Sequence, residues 1–314
     1  MPLLERRLLF VTGKGGVGKT SVASAIGLLA ARRGLRTLVC EVDAKGNLAD
    51  FFGSGPLTFA PTEVRERLWA MAMDTEESLK EYLRLQLRVP LLARLGPLAR
   101  TFDFVANAAP GVKEILTVGK LAYEVRERNY DLVVVDASAT GHVVGQLASP
   151  VAVGELVRAG LVRSQTEWMV DLLTDPATTG VVVTTAPEEM PVAETLELVE
   201  RLRAETEVDV AAVVVNRVLP ELFGRGEEEI FGALADPAAH GSLLDAAGPG
   251  ADDVVAAASL AVGLRRSRVA HLARLRDGLP PTMPVLYLPF LFTRSHGVRA
   301  TSLIAGALGE ELGF

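Results

Sequence analysis

The sequence predicts an α/β protein, a doubly wound, mostly parallel sheet of about seven to eight strands that carries a glycine-rich loop and an inserted helical subdomain. Short apolar, β-branched runs alternate with helical stretches, the pattern of strands covered on both faces. Between the first such run and the first helical stretch lies Gly13-Lys14-Gly15-Gly16-Val17-Gly18-Lys19-Thr20. Two intervals, residues 74–109 and 151–175, break the alternation with long helical sequence.

The strands expected in order are Leu8 to Val11, Thr37 to Val42, Leu68 to Met73, Leu132 to Val135, Gly180 to Thr185, Asp209 to Val215 and Val285 to Leu288. Ser21 to Ala31 has the small, periodic character of the first helix. The first interval places Tyr82, Leu83, Leu85, Leu87, Leu91, Leu92 and Leu95 among arginines, and the second carries Trp168 and Met169. Two accounts stand for them: amphipathic helices covering the sheet, or a subdomain presenting an apolar surface to a client. Phe223 to Asp277 is alanine- and acid-rich and reads as surface helices without an evident site. The expected division is therefore residues 1–73, 110–150 and 180–314 for the sheet domain, with 74–109 and 151–175 inserted. No internal repeat is apparent, which implies one loop site per chain.

The loop reads G-x-x-x-x-G-K-T, a phosphate-binding loop (P-loop). Its glycines let backbone N–H groups turn toward phosphate oxygens, where the field of the following helix adds to theirs. Lys19 then supplies a point charge between the β- and γ-phosphates, and the Thr20 hydroxyl suits a Mg²⁺ ligand. Gly13, Gly15 and Gly18 also satisfy G-x-G-x-x-G, with Glu41 at the distance of a ribose-binding acid, so a dinucleotide is the competing reading. Lys-Thr directly after the third glycine favours ATP or ADP, since a pyrophosphate turn has no use for it. The loop's nucleotide-binding set is Gly13, Lys14, Gly15, Gly16, Val17, Gly18, Lys19, Thr20 and Ser21.

Asp136 tips an apolar strand, where a carboxylate holds Mg²⁺ or its waters; the plainer alternative is a turn cap. Asp43 also follows a strand and could orient water or cap a helix. Thr20, Asp43 and Asp136 form the candidate metal set, and Lys14, Lys19 and Asp43 the catalytic one. Lys14 is placed to reach a phosphate bound by a neighbouring subunit, as an arginine finger does in trans.

With 314 residues and 49% hydrophobic content, the chain can bury a large core. No eighteen-residue uncharged apolar window exists, and the start MPLLERRLLF is too short and charged for a signal peptide, so a cytoplasmic protein without stable membrane insertion is expected. Cys40 is the one cysteine, which excludes intrachain disulfides, a cysteine-held iron–sulfur cluster and a C-x-x-C zinc site. A formal charge of −7 with no basic run argues against nucleic acid as partner.

With these motifs in place, the chain resembles the deviant phosphate-loop ATPases, and among them the arsenite pump and tail-anchored protein-targeting ATPases, over nearly its whole length. GKGGVGKT matches the family loop, with Lys14 at its signature lysine. Asp43 to Asp50 is similar to switch I, whose aspartate positions the attacking water, and Asp136 to His142 resembles switch II. Pro110 to Glu114 and the helix after Pro187-Glu188 are further landmarks. The resemblance implies that Asn216 reads adenine, that Pro289 and Phe290 pack on the other side of the base, and that Mg²⁺ and ATP drive a homodimer, or a heterodimer with a paralogous ATPase, handling an apolar protein client. Ala44 and Lys45-Gly46 replace the usual proline and histidine of switch I. Zinc-clasp cysteines and arsenite-binding thiolates are missing, so arsenite transport is not expected. A partitioning or division-site ATPase is the first alternative, against which the acidic stretch Gly306 to Phe314 stands. A slow nucleotide-sensing subunit is the second. His142 is a candidate switch residue or a plain structural histidine.

Overall fold

The computed structural model describes residues 3–43, 47–87, 111–156, 160–221, 223–248, 250–293 and 297–314. Its strands are β1 (Leu8–Gly13), β2 (Thr37–Glu41), β3 (Thr62–Arg65), β4 (Leu68–Ala72), β5 (Leu132–Asp136), β6 (Thr179–Thr185), β7 (Val210–Val218) and β8 (Val285–Pro289). They form one sheet in the order β3-β4-β2-β5-β1-β6-β7-β8, parallel except where β3 pairs with β4. The expected α/β class with a mostly parallel sheet is therefore present.

Alternation along the strands divides the core. Leu8, Phe10, Leu38, Cys40, Val133 and Val135 face one side, while Leu9, Val11, Val39 and Val134 face the other. The second side is covered by α1 (Lys19–Arg32), α2 (Asn47–Phe52) and α11 (Val298–Glu311). The first is covered by α4 (Val112–Arg126), α5 (Thr140–Leu156), α6 (Leu161–Thr174) and α7 (Glu189–Glu205). Phe10 is fully buried, and its truncation to alanine would cost about 3–5 kcal/mol.

Helix α3 (Thr75–Leu87) packs on α4, and α4 in turn packs on α5 and α6. Leu91, Leu92, Leu95 and Pro110 lie outside the described residues, as do Ala44, Lys45 and Gly46. Two features depart from the sequence-derived division. Helix α5 runs through residue 150, where a domain boundary was expected, because Pro150 is accommodated inside it. Proline lacks the N–H that would reach the Gln146 carbonyl, and the Ser149 hydroxyl donates to that carbonyl instead, at 2.8 Å. Helix α4, assigned to the sheet domain, packs more on α3 and α6 than on the strands. Residues 225–278 form α8 (Arg225–Ala233), α9 (Pro237–Ala247) and α10 (Ala251–Gly278), with Leu275 the one buried hydrophobic residue of α10 among those described.

Candidate functional site

Strand β1 ends in the glycine loop, and α1 begins at Lys19, so the loop spans a strand end and a helix N-terminus. Gly13 has φ +146°, and a Cβ there would lie 2.1 Å from the Thr184 carbonyl oxygen on β6. Gly18 has φ +98°, and its Cβ would lie 2.3 Å from Asn216 Nδ2. Only glycine lets β6 and β7 approach the loop this closely. No side chain caps α1, which leaves its first backbone N–H groups directed at the loop's concave face.

The carboxylates gather opposite. Strand β5 lies between β1 and β2, with Asp136 level with Val11 and Glu41. Thr20 Oγ1 donates to Asp136 Oδ2 at 2.6 Å, while Asp136 Oδ1 is buried without a partner. Burial pushes the Asp136 carboxyl up to about 6; the Thr20 hydrogen bond and Lys19 act against that rise, and Glu41 and Asp43 add to it. Glu41 is buried too: Oε1 accepts the Asn47 N–H at 3.1 Å, and Oε2 has no partner. Asp43 Oδ1 accepts from the Ser138 hydroxyl at 2.8 Å. Thr20, Glu41, Asp43, Asp136 and loop glycines line a cavity of about 750 Å³, within the range of small-molecule sites. Among the described residues, no cluster of three His, Cys, Asp or Glu side chains could hold a metal unaided. Hydroxyl and carboxylate oxygens, one of them buried and unpartnered, nevertheless suit a hard cation that takes its other ligands from phosphate and water.

The family profile of anion-transporting ATPases matches residues 6–167 and 161–225, a span that contains the loop, both switch segments and Asn216. The chain belongs to the anion-transporting ATPase family. It is similar to ATPase BagA of Mycobacterium tuberculosis, 35% identical over 225 residues, which are 68% of this chain and 66% of that protein. A protein of Halobacterium salinarum named as an arsenical pump-driving ATPase is 29% identical over 246 residues, 71% of this chain and 37% of its own. ATPase ASNA1 homolog 1 of Paramecium tetraurelia is 32% identical over 152 residues, 45% of this chain and 43% of its own. The chain thus spans no more than 66% of the length of these relatives. Among the described residues, no helix is long and apolar enough to cross a membrane.

In this member of the anion-transporting ATPase family, Lys14 is engaged within its own chain. Its Nζ lies 2.5 Å from Glu194 Oε1 on α7, each side chain about a third exposed. The position inferred from the sequence pointed Lys14 at a neighbouring subunit; the fold supplies a partner in cis, 180 positions away. Lys19 Nζ is 3.4 Å from the Lys14 carbonyl oxygen. Asn216 Nδ2 donates to the Val17 carbonyl at 2.9 Å, and its Oδ1 accepts the Arg217 N–H at 2.9 Å, so this side chain pins the loop to β7. Ser21 lines the cavity. Pro289 ends β8 level with Val218, and Phe290 donates its N–H to the Val218 carbonyl at 2.7 Å, which brings both to the loop's edge of the sheet. His142 is exposed and lines a side cavity with Asp43, Asp74 and Lys113.

Two neighbours escaped the sequence reading as parts of this site, Glu194 and Arg217, while Glu41 had entered it only as the ribose acid of the competing reading and Ser138 only within the segment similar to switch II. Glu41 is the last residue of β2, two positions before Asp43, which brings both carboxylates to the same end of the sheet. Glu194 is brought in by the packing of α7 and Arg217 by the pairing of β7, and neither carries a local pattern of its own.

Proposed function

We propose that this chain hydrolyses ATP to ADP and phosphate in a Mg²⁺-dependent cycle that closes and opens a dimer. The observation supporting this most directly is Thr20 Oγ1 at 2.6 Å from Asp136 Oδ2, beside an Asp136 oxygen with no partner. Thr20 and Asp136 would hold the metal, Asp136 directly or through water, with Asp43 close by. Mg²⁺ held there would neutralise negative charge on the phosphates.

The chain's own groups do the rest. Loop amides and Lys19 hold the phosphate oxygens in place. Asp43, fixed by Ser138, orients a water whose oxygen attacks the γ-phosphorus while the bond to the β–γ bridging oxygen breaks. The water's protons pass to solvent and to the released phosphate. Lys14 exchanges Glu194 for a phosphate across the dimer, with a second copy or a paralogous ATPase as the partner. Client handling is supported by an apolar pocket of about 280 Å³ between α3, α4 and α6, where Tyr82, Leu116, Trp168 and Met169 line the walls.

Phosphate release by the purified protein tests this reading. Mg²⁺-dependent turnover is expected, reduced at least about 100-fold in Thr20→Ala and in Asp43→Asn with ADP binding retained by the latter. Turnover that persists in Asp43→Asn, or that needs no divalent cation, overturns it.

A further inference from the structure

Behind the switch I helix, α2, lies a second cavity of about 450 Å³, bounded by the end of α1, the β3–β4 turn and the start of α11. Three exposed guanidinium side chains line it, Arg32, Arg65 and Arg67. Their hydrogen bonds go to neutral oxygens: Arg32 Nη2 to the Ser302 hydroxyl at 2.9 Å, Arg65 Nη1 to the Val64 carbonyl at 2.6 Å and Arg67 Nη1 to the Gly34 carbonyl at 2.9 Å. Among the described residues some other arginines are ion-paired, as in Arg36 with Asp131, Arg201 with Glu205 and Arg266 with Glu228, and others are not, Arg126, Arg203 and Arg274 among them. Arg32, Arg65 and Arg67 form no such pair, and Glu66 is the one carboxylate in the lining.

The chain carries 39 acidic against 32 basic side chains, so acidic partners are plentiful, yet three cations are left around one concavity. Like charges gathered on one concavity repel, and an anion between them relieves that repulsion. Each guanidinium has five N–H groups, one of which is used in the contact above, leaving the planar fork that matches phosphate oxygens. The wall facing them is apolar, built from Leu28, Phe51, Phe52 and Val298.

We propose that this cavity binds a small organic phosphate monoester, with its dianion on Arg32, Arg65 and Arg67 and its apolar body against Phe51 and Val298. A monoester carries nearly two charges at neutral pH, which three guanidinium groups and one carboxylate balance. The site is also tied to the nucleotide loop. Phe51 lines both cavities, and Thr301 Oγ1 on α11 donates to the Phe51 carbonyl at 3.0 Å. A ligand that seats Phe51 therefore biases α2 and the switch segment before it. This coupling, unlike the binding itself, rests on the ATP reading.

Calorimetric titration of the full chain with phenyl phosphate, in the presence of saturating Mg²⁺-ADP, tests the site. One binding event is expected, weakened at least about tenfold in Arg65→Gln/Arg67→Gln and unchanged in Arg201→Gln, which removes an exposed guanidinium outside both cavities. Inorganic phosphate should bind about tenfold more weakly, since it leaves the apolar wall wet. Absence of binding, equal binding in the Arg65→Gln/Arg67→Gln variant, or an equal loss in Arg201→Gln overturns the site; equal affinity for inorganic phosphate overturns the organic ligand. The urea midpoint of the arginine variant, expected to match the parent, separates lost binding from lost folding. The coupling predicts that phenyl phosphate and Mg²⁺-ADP change each other's affinity by one common factor, and independence of the two overturns it. Failure of ATP hydrolysis would leave the binding result standing.

Discussion

Replacing Asp136 with asparagine should make the nucleotide-free protein more stable at neutral pH while abolishing Mg²⁺-dependent turnover. The buried carboxyl titrates at about 6 instead of 3.8. A folded-state pKa above the unfolded one means that the unfolded chain releases this proton first, so the carboxylate's burial costs stability progressively as pH rises from 3.8 toward and through about 6. A shift of about two units corresponds to about 3 kcal/mol once both states are ionised, and to about 1 kcal/mol at about pH 4.5. Asparagine keeps the shape and an acceptor for Thr20 but never ionises. Its own desolvation cost is the same at both pH values and cancels in the difference. Urea unfolding of parent and Asp136→Asn, in a chelator and without nucleotide, should therefore show an advantage for the variant that is about 2 kcal/mol larger at about pH 7.5 than at about pH 4.5. An advantage that stays constant between these pH values, or shrinks as pH rises, would refute the assignment of Asp136 as a buried charge held in reserve for a cation.

Three further outcomes follow from individual contacts. Glu194→Gln removes the charge that holds Lys14 in cis; because the pair is about a third exposed, its worth is at most about 1 kcal/mol per chain, so an ATP-bound homodimer that engages both lysines should tighten by up to about 30-fold in light scattering. An unchanged or weaker dimer would mean that Glu194 does not compete for Lys14. Gly18→Ala places a Cβ against Asn216 Nδ2 at φ +98° and should lower the urea midpoint by about 1–3 kcal/mol in stability, with part restored in Gly18→Ala/Asn216→Ala, where the clashing amide is gone. Cys40 is fully buried in β2, and burial raises its thiol pKa, so a thiol reagent at about pH 8 should label it only after denaturation; rapid labelling of the native protein would contradict the packing of that strand.

What the sequence determined by itself is local. The glycine loop is legible because phosphate chemistry needs its residue types at consecutive positions, and the parallel strands are legible because both of their faces are apolar. Strand β3 carried no such signal: Thr62, Glu63 and Arg65 are exposed, and the segment is a strand only because its backbone pairs antiparallel with β4. The same pairing logic lengthens β7 to Val218, where Pro289 of β8 lies level with it. Thr20 and Asp136 were identified as a type of pair from their local settings, but their contact across 116 positions exists because β1 and β5 are neighbours. Glu194 beside Lys14, Asn216 against the loop, and the three arginines behind α2 were decided by tertiary structure alone. Each depends on which strand or helix lies next to which, a choice made by the burial of whole faces and not written in any short stretch of residues.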